Sequence, residues 1–374
     1  MMKLKVFKSS VFILLMLALA ACHPALPKDG SKASGIAFPE SSEILSKWLR
    51  ANVADFWVFA RDHRLLADYP STGVVVGDTH LANFAPIPVL LKSGATEMRY
   101  LDVDFDDAGR APLALDFLRL VVTSRAVNSD VKIKELVAAY IKGLMGEDVA
   151  PPAAVSKYLN FTASDYRAMA DEDFNGKTND QGFKLKPGKI EAYNGPLTTG
   201  QLAPLLPQIK IIDLATRPHD TGGNAGARVW IYGKDASGLR RLFELKKYQR
   251  TSLDQYAQQD DARAWEADVR SKLWPEVAEG EYRLVSLAPN ETYWLREKKL
   301  SLIDIPYSNK DKAAGKLVLA LATYDSYILG RLHGQQTESA PLKTLLSGSV
   351  QQAAFLEAVK SAAKVYLNDV AQRL

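Results

Sequence analysis

Gly77 to Phe84 reads GDTHLANF, and Leu101 to Asp107 reads LDVDFDD. The residues before the first segment, Ser71 to Val76 (STGVVV), end in a β-branched run, and Met98 to Asp104 alternates apolar and polar side chains. That pattern predicts strand, loop, strand, with the carboxylates at strand ends and a short hairpin between the two segments. Asp78, Asn83 and Asp104 are therefore expected to converge. Asp, Thr and Asn after a glycine also fit plain turn chemistry, because these side chains hydrogen-bond the local backbone.

The residue types fit one chemistry. Phosphoryl transfer needs little covalent help from a protein: the site orients an attacking hydroxyl and neutralises phosphate charge with Mg²⁺. In that reading Asp78 accepts the hydroxyl proton as the catalytic base. Asn83 and Asp104 supply the hard oxygen ligands that Mg²⁺ prefers. Kinase-like phosphotransferases space a base and two magnesium ligands in this way.

A second constellation begins at Ile209. Ile209 to Ala215 and Val229 to Tyr232 read as strands around Thr221 to Arg228, TGGNAGAR, and Arg241 to Lys247, RLFELKK, reads as a third strand. A glycine-rich connection with a lysine on the following strand is how kinases cover and grip the phosphates of ATP. Gly223 and Gly226 let backbone amides approach phosphate with no Cβ in the way. Lys246 shares strand parity with Leu242 and Glu244, so it is preferred to Lys247 as the phosphate lysine. Taken alone, Gly-Gly-Asn is equally an ordinary turn and Lys-Lys a solvated pair. By analogy with the kinase Lys–Glu pair, the acidic partner of Lys246 is expected on a helix from Tyr256 to Trp274, with Glu266 favoured over Asp260, Asp261 and Asp268.

The first residues have another purpose. Lys3, Lys5 and Lys8 precede the apolar stretch Val11 to Ala21, and Leu19-Ala20-Ala21-Cys22 follows. This is a bacterial secretion signal over residues 1–21, too short to span a membrane by itself. Its end resembles a lipobox, which implies lipidation of Cys22 and a membrane anchor. His23 after the cysteine implies the outer membrane, facing the periplasm. Cys22 is the only cysteine, so no intramolecular disulfide can form. The whole chain of 374 residues carries +4, and the leader accounts for three of those charges, leaving +1. With no long Lys/Arg run, a nucleic-acid partner is not expected. Residues 22–40, rich in Pro, Gly, Ser and Lys, read as a flexible tether.

The mature chain is long and apolar enough for two lobes. A buried amphipathic helix is expected from Ser41 through Phe59, with helices at Leu115 to Val127 and Asp130 to Met145 and another near Ala163 to Asp171, before loop from Asn175 to Gly195. Asp116 and Arg119 are spaced to meet on one helix face. Glu281 to Leu287 and Glu291 to Glu297 complete a small, mostly antiparallel sheet, and Leu317 to His333 and Val350 to Leu374 close the chain as long helices. The expected fold class is α+β: a β-rich segment over residues 206–300, between a helical lobe's first part, 41–205, and its completion, 301–374. In ordinary kinases the glycine-rich sheet comes first and the catalytic loop later. Here the order is reversed, which describes a circularly permuted, kinase-like two-lobed fold, and nearby termini permit such a rearrangement.

With these motifs in order the sequence resembles the bacterial proteins of unknown function called DUF2252, over most of the mature chain. The pattern is carried by GDTHLANF at 77–84, by DFDD at 104–107 with Pro112, Asp116 and Arg119, by the loop through Gly223, Gly226 and Arg228, by Lys246, by Tyr293, Arg296 and Glu297, and by LGRLHG at 329–334. The resemblance implies a Mg²⁺-dependent phosphotransferase using ATP or another phosphoryl donor, with an unknown small-molecule or envelope substrate. Glu244 and Lys247 stand where that family commonly has Gln and Glu, Thr221 where a loop glycine is usual, and Val76 where phosphotransferases tend to have His. Two other classes remain open. A catalytically inactive, kinase-like binding or scaffold lipoprotein suits a periplasm poor in ATP. A metallophosphoesterase suits Asp78-Thr79-His80, but the chain has five histidines and no Asn-His pair.

Overall fold

The computed structural model describes residues 42–218, 228–259, 262–278, 282–288, 291–300, 302, 303, 305 and 312–374. The expected leader, the tether and Cys22 lie outside the described residues, as do Gly223 and Gly226. Within them the chain is mixed α and β, with small antiparallel sheets. No helix among them is long and apolar enough to cross a membrane.

The run expected as one helix from Ser41 is two, α1 (Ser42–Ala51) and α2 (Val53–Asp62). Asn52 breaks it: its backbone leaves the helical region, and its side chain bonds back to the Trp48 carbonyl at 2.8 Å. Of the apolar residues at three and four residue steps, Leu45 and Leu49 of the first helix and Val53, Phe56 and Trp57 of the second are buried, Trp48 and Phe59 are half-buried, and Ile44 is exposed.

Strand β1 (Thr72–Val75) enters the 76–83 loop, and β2 (Phe84–Leu90) and β3 (Thr96–Asp102) form a hairpin with Phe84 opposite Asp102. Strand β4 (Gly109–Pro112) returns to pair with β1, Val75 opposite Gly109. The 76–83 and 103–108 connections therefore run between the same two ladder ends, and the two acidic segments lie side by side. Next come α3 (Leu113–Val127), almost wholly buried, α4 (Ile133–Met145), α5 (Ala153–Leu159) and α6 (Ala163–Lys177).

In the region expected as loop, β5 (Thr178–Asn179) and β6 (Gly182–Phe183) make a minimal ladder. Strands β7 (Glu191–Ala192), β8 (Ile209–Arg217), β9 (Arg228–Asp235) and β10 (Arg240–Lys247), then helix α7 (Ala262–Leu273), then β11 (Tyr282–Ala288) and β12 (Glu291–Glu297) follow. The strands form one antiparallel sheet ordered β11-β12-β10-β9-β8-β7. One face packs Val229, Ile231, Phe243, Leu245 and Leu295 onto Leu197 and Leu202. Strand alternation puts Arg228, Glu244, Lys246 and Arg296 on the other.

The chain closes with α8 (Lys312–Gly334) and α9 (Ser349–Arg373). Helix α8 packs on α4 through glycine: a Cβ on Gly143 would lie 2.1 Å from the Tyr327 carbonyl oxygen, and one on Gly330 2.2 Å from that of Tyr140. The expected stripe of α9, Phe355, Val359, Ala362, Ala363, Tyr366 and Val370, is buried.

Candidate functional site

The loop after β1 is held from below by α3 and α8. Gly77 has φ +86°, and a Cβ there would fall 2.0 Å from the Asp107 carbonyl oxygen, so only glycine fits. The carboxylate of Asp116 accepts the backbone N–H of Val76 at 2.9 Å and of Gly77 at 3.0 Å, and the Thr79 hydroxyl donates to the Asp116 carbonyl at 2.8 Å. His333 places Nε2 3.2 Å from Asp116 and Nδ1 2.9 Å from the Tyr140 hydroxyl. Tyr140 donating to Nδ1, with Nε2–H donating to Asp116, satisfies all three groups. Gln336 bonds both backbone groups of Val74, each at 2.8 Å. The LGRLHG segment thus braces the loop and supplies no reacting group.

Arg119, fully buried, donates from Nε to Asp78 Oδ1 at 3.2 Å and from Nη2 to the same oxygen. Burial pushes the Asp78 carboxyl above its ordinary pKa; Arg119 opposes that and the charge of Asp104 adds to it. Asn83 donates its side-chain N–H to the Asp78 carbonyl at 2.9 Å. His80 Nδ1 accepts the Ala82 N–H at 3.2 Å, so its proton sits on Nε2, 3.7 Å from Asp78 and beyond hydrogen-bond reach. Burial, with Arg50 and Arg119, holds the His80 pKa well below its usual value, so the ring is neutral.

The second segment contributes four aspartates of different character. Asp102 is fully buried; one oxygen accepts the Asp104 N–H at 3.0 Å and the other has no hydrogen-bond partner, and burial drives its pKa well up. Asp107 is fixed by the Ser252 N–H at 2.9 Å. Asp106 binds both Lys246 and the Tyr282 hydroxyl. Burial and the adjacent Asp104 push Asp106 up to about 6, against the pull of Lys246. Asp104 goes the other way: burial would raise it, but Arg296, Lys246 and Arg228 outweigh burial and keep it ionised. Asp104 keeps 28% of its side-chain surface exposed and Asp78 17%, against 3% for Asp106, so the first two open to solvent.

The sheet supplies the cations. Lys246 is buried and Lys247 exposed, as strand parity requires. Arg228 lies directly opposite Lys246 on β9, and Arg296 opposite Glu244 on β12. Glu244, fully buried, accepts from Arg228 at 3.3 Å, Trp230 at 3.1 Å and Arg296 at 2.8 Å. Arg296 in turn donates to the Val103 carbonyl at 2.9 Å and to Asp104 at 3.2 Å. Burial alone would lower the Lys246 pKa, but Asp106 and Asp104 raise it, so the ammonium stays charged. Lys298 is drawn up by Glu244, but burial, Arg296 and Arg228 bring it down to about 8.

Glu266 is not the partner of Lys246. It accepts the Leu284 N–H at 2.9 Å and lies 3.6 Å from Arg270, while Lys246 pairs with Asp106. Asp78, Asn83, Asp104, Arg228 and Lys246 fall in one electrostatic cluster. Asp106, Glu244 and Arg296 join it, although motif spacing did not single them out as site residues.

Among the described residues no three His, Cys, Asp or Glu side chains converge as a metal site. Magnesium held by one carboxylate, one amide oxygen and phosphates needs no such trio. The carboxylate of Asp104, kept ionised and partly open to solvent, and the amide oxygen of Asn83 are hard oxygen donors of the kind a divalent cation takes. The residues present therefore fit Mg²⁺ at Asp104 and Asn83. No family model, curated protein or solved structure matches the chain.

Proposed function

We propose that this chain is a kinase-like phosphotransferase of the DUF2252 type, circularly permuted and anchored in the cell envelope through Cys22. One observation carries the reading: Lys246, on the third long strand of the large sheet, meets the acidic segment more than a hundred residues earlier, beside Asp78. A lysine on such a strand, followed by helix α7 and two strands that join the same sheet, is the kinase arrangement for gripping phosphates. The loop–hairpin–aspartate order of 77–104 is its arrangement for base and metal.

Each residue then has a role. Asp78 orients an acceptor hydroxyl and takes its proton; a carboxyl raised by burial is the better acceptor. Arg119 holds Asp78 in position. Asp104 and Asn83 would hold Mg²⁺, whose contribution when bound would be to stabilise negative charge on phosphate oxygens. Lys246 neutralises the donor's phosphates. ATP or another phosphoryl donor would have to displace Asp106 from Lys246. That occupied lysine favours a second reading, an inactive binding protein on the same fold.

Calorimetry of the purified chain with Mg²⁺ plus nucleotides or polyphosphate tests the proposal. Asp104→Asn should abolish metal-dependent binding, whereas Asp78→Asn should preserve binding and reduce turnover by orders of magnitude. Wild-type binding without transfer would select the inactive reading.

A further inference from the structure

The face of the sheet beside Lys246 narrows the donor. Lys246 stands opposite Arg228 on β9 and Trp294 on β12, and the next rung of the same face is Trp230, Glu244 and Arg296. A nucleotide with its phosphates on Lys246 would lay its base along this face, where a planar heterocycle needs apolar walls. In the neighbouring rung the buried Trp230 is itself tied through its indole N–H to an ion network, with fully buried Glu244 holding two arginines that are each about nine-tenths buried. Inserting a base would strip those charges of their partners, a heavy cost in a low-dielectric site.

The same face suits a chain of phosphates. Arg228, Lys246 and Arg296 are three cations gathered at Asp104 and paired with the carboxylates of Glu244, Asp106 and Asp104, and the Nε of Arg228 has no hydrogen-bond partner among the described residues. A chain of phosphates would replace carboxylate oxygens with phosphate oxygens at those cations and supply the acceptor that this Nε lacks.

Resting on the phosphotransferase reading, we propose that the donor is a condensed phosphate without a nucleoside. The acceptor oxygen attacks the terminal phosphorus, and the bond from that phosphorus to the bridging oxygen breaks. The electron pair leaves with a chain one phosphate shorter, and the hydroxyl proton passes to Asp78. The products are a phosphate ester and the shortened chain. A donor of this class also suits the exported location expected from the leader.

Calorimetry of the purified full chain with Mg²⁺ compares sodium tripolyphosphate, ATP, GTP and CTP. Tripolyphosphate should bind at least as tightly as any nucleotide, with the base making no difference. Arg228→Gln should weaken tripolyphosphate binding about tenfold, the scale of one charge-assisted contact, and Arg228→Lys should restore most of it. A nucleotide binding about tenfold tighter than tripolyphosphate would show a base site and overturn the inference while leaving the phosphotransferase reading intact. Binding of neither would overturn both.

Discussion

Replacing Arg119 with Met tests how the catalytic-loop candidate is held. The guanidinium is fully buried, donates twice to Asp78 Oδ1 and once to the Leu49 carbonyl at 3.1 Å, and lies over the Phe56 ring at 5.5 Å. Met retains much of the packing and removes the charge, leaving the Asp78 carboxylate without its counter-ion. Removing one partner of a buried pair costs about 3–5 kcal/mol. Because Asp78 keeps 17% of its side-chain surface in solvent, the lower end, about 3 kcal/mol, is expected. The double variant Asp78→Asn/Arg119→Met has no orphaned charge and should recover about 2 kcal/mol of that loss. Urea unfolding at neutral pH, analysed as a double-mutant cycle, measures both values. A loss below about 1 kcal/mol in Arg119→Met, or no recovery in the double variant, would refute the ion pair as the anchor of the loop.

Gly77→Ala, with φ +86° and a Cβ 2.0 Å from a backbone oxygen, should cost at least about 2 kcal/mol in the same assay; wild-type stability would disprove that close approach. Asp106, pushed up to about 6, binds its proton more tightly folded than unfolded, so its contribution to stability is present at low pH and lost as pH rises through that window. Wild type should accordingly lose up to about 3 kcal/mol relative to Asp106→Asn between about pH 4 and about pH 6, and parallel stability profiles would contradict it. Cys22→Ala should release the protein from membranes or leave an unprocessed precursor; a mature, membrane-bound variant would remove the lipoprotein reading.

Periodicity and parity were enough to locate most long elements. The strands at Ile209, Arg241 and Glu291 and the stripe of the last helix follow from residue alternation and three-to-four spacing, and parity separated buried Lys246 from exposed Lys247. Strand β2 was not legible because Pro86 and Pro88 argue against a strand, although a two-stranded ladder leaves an open edge for residues that cannot donate. The break at Asn52 hid within an apolar rhythm that continues across it. In the site, the nearness of Asp78 and Asp104 was legible because they flank one short hairpin. The partner of Lys246 was not: sequence places a carboxylate on α7 but not the rotation of that helix, and Glu266 turns to the β11 backbone. Glu244 and Arg296 became site residues only once β10 and β12 were known to be neighbours, a pairing across half a hundred residues that local pattern does not encode.

The most direct test is a crystal structure of the protein with tripolyphosphate and Mn²⁺ standing in for Mg²⁺. An anomalous peak is expected about 2.1 Å from oxygens of Asp104 and Asn83, with Lys246 moved from Asp106 onto a phosphate oxygen. A metal bound elsewhere, with Lys246 still paired to Asp106 in the liganded crystal, would contradict the proposed site.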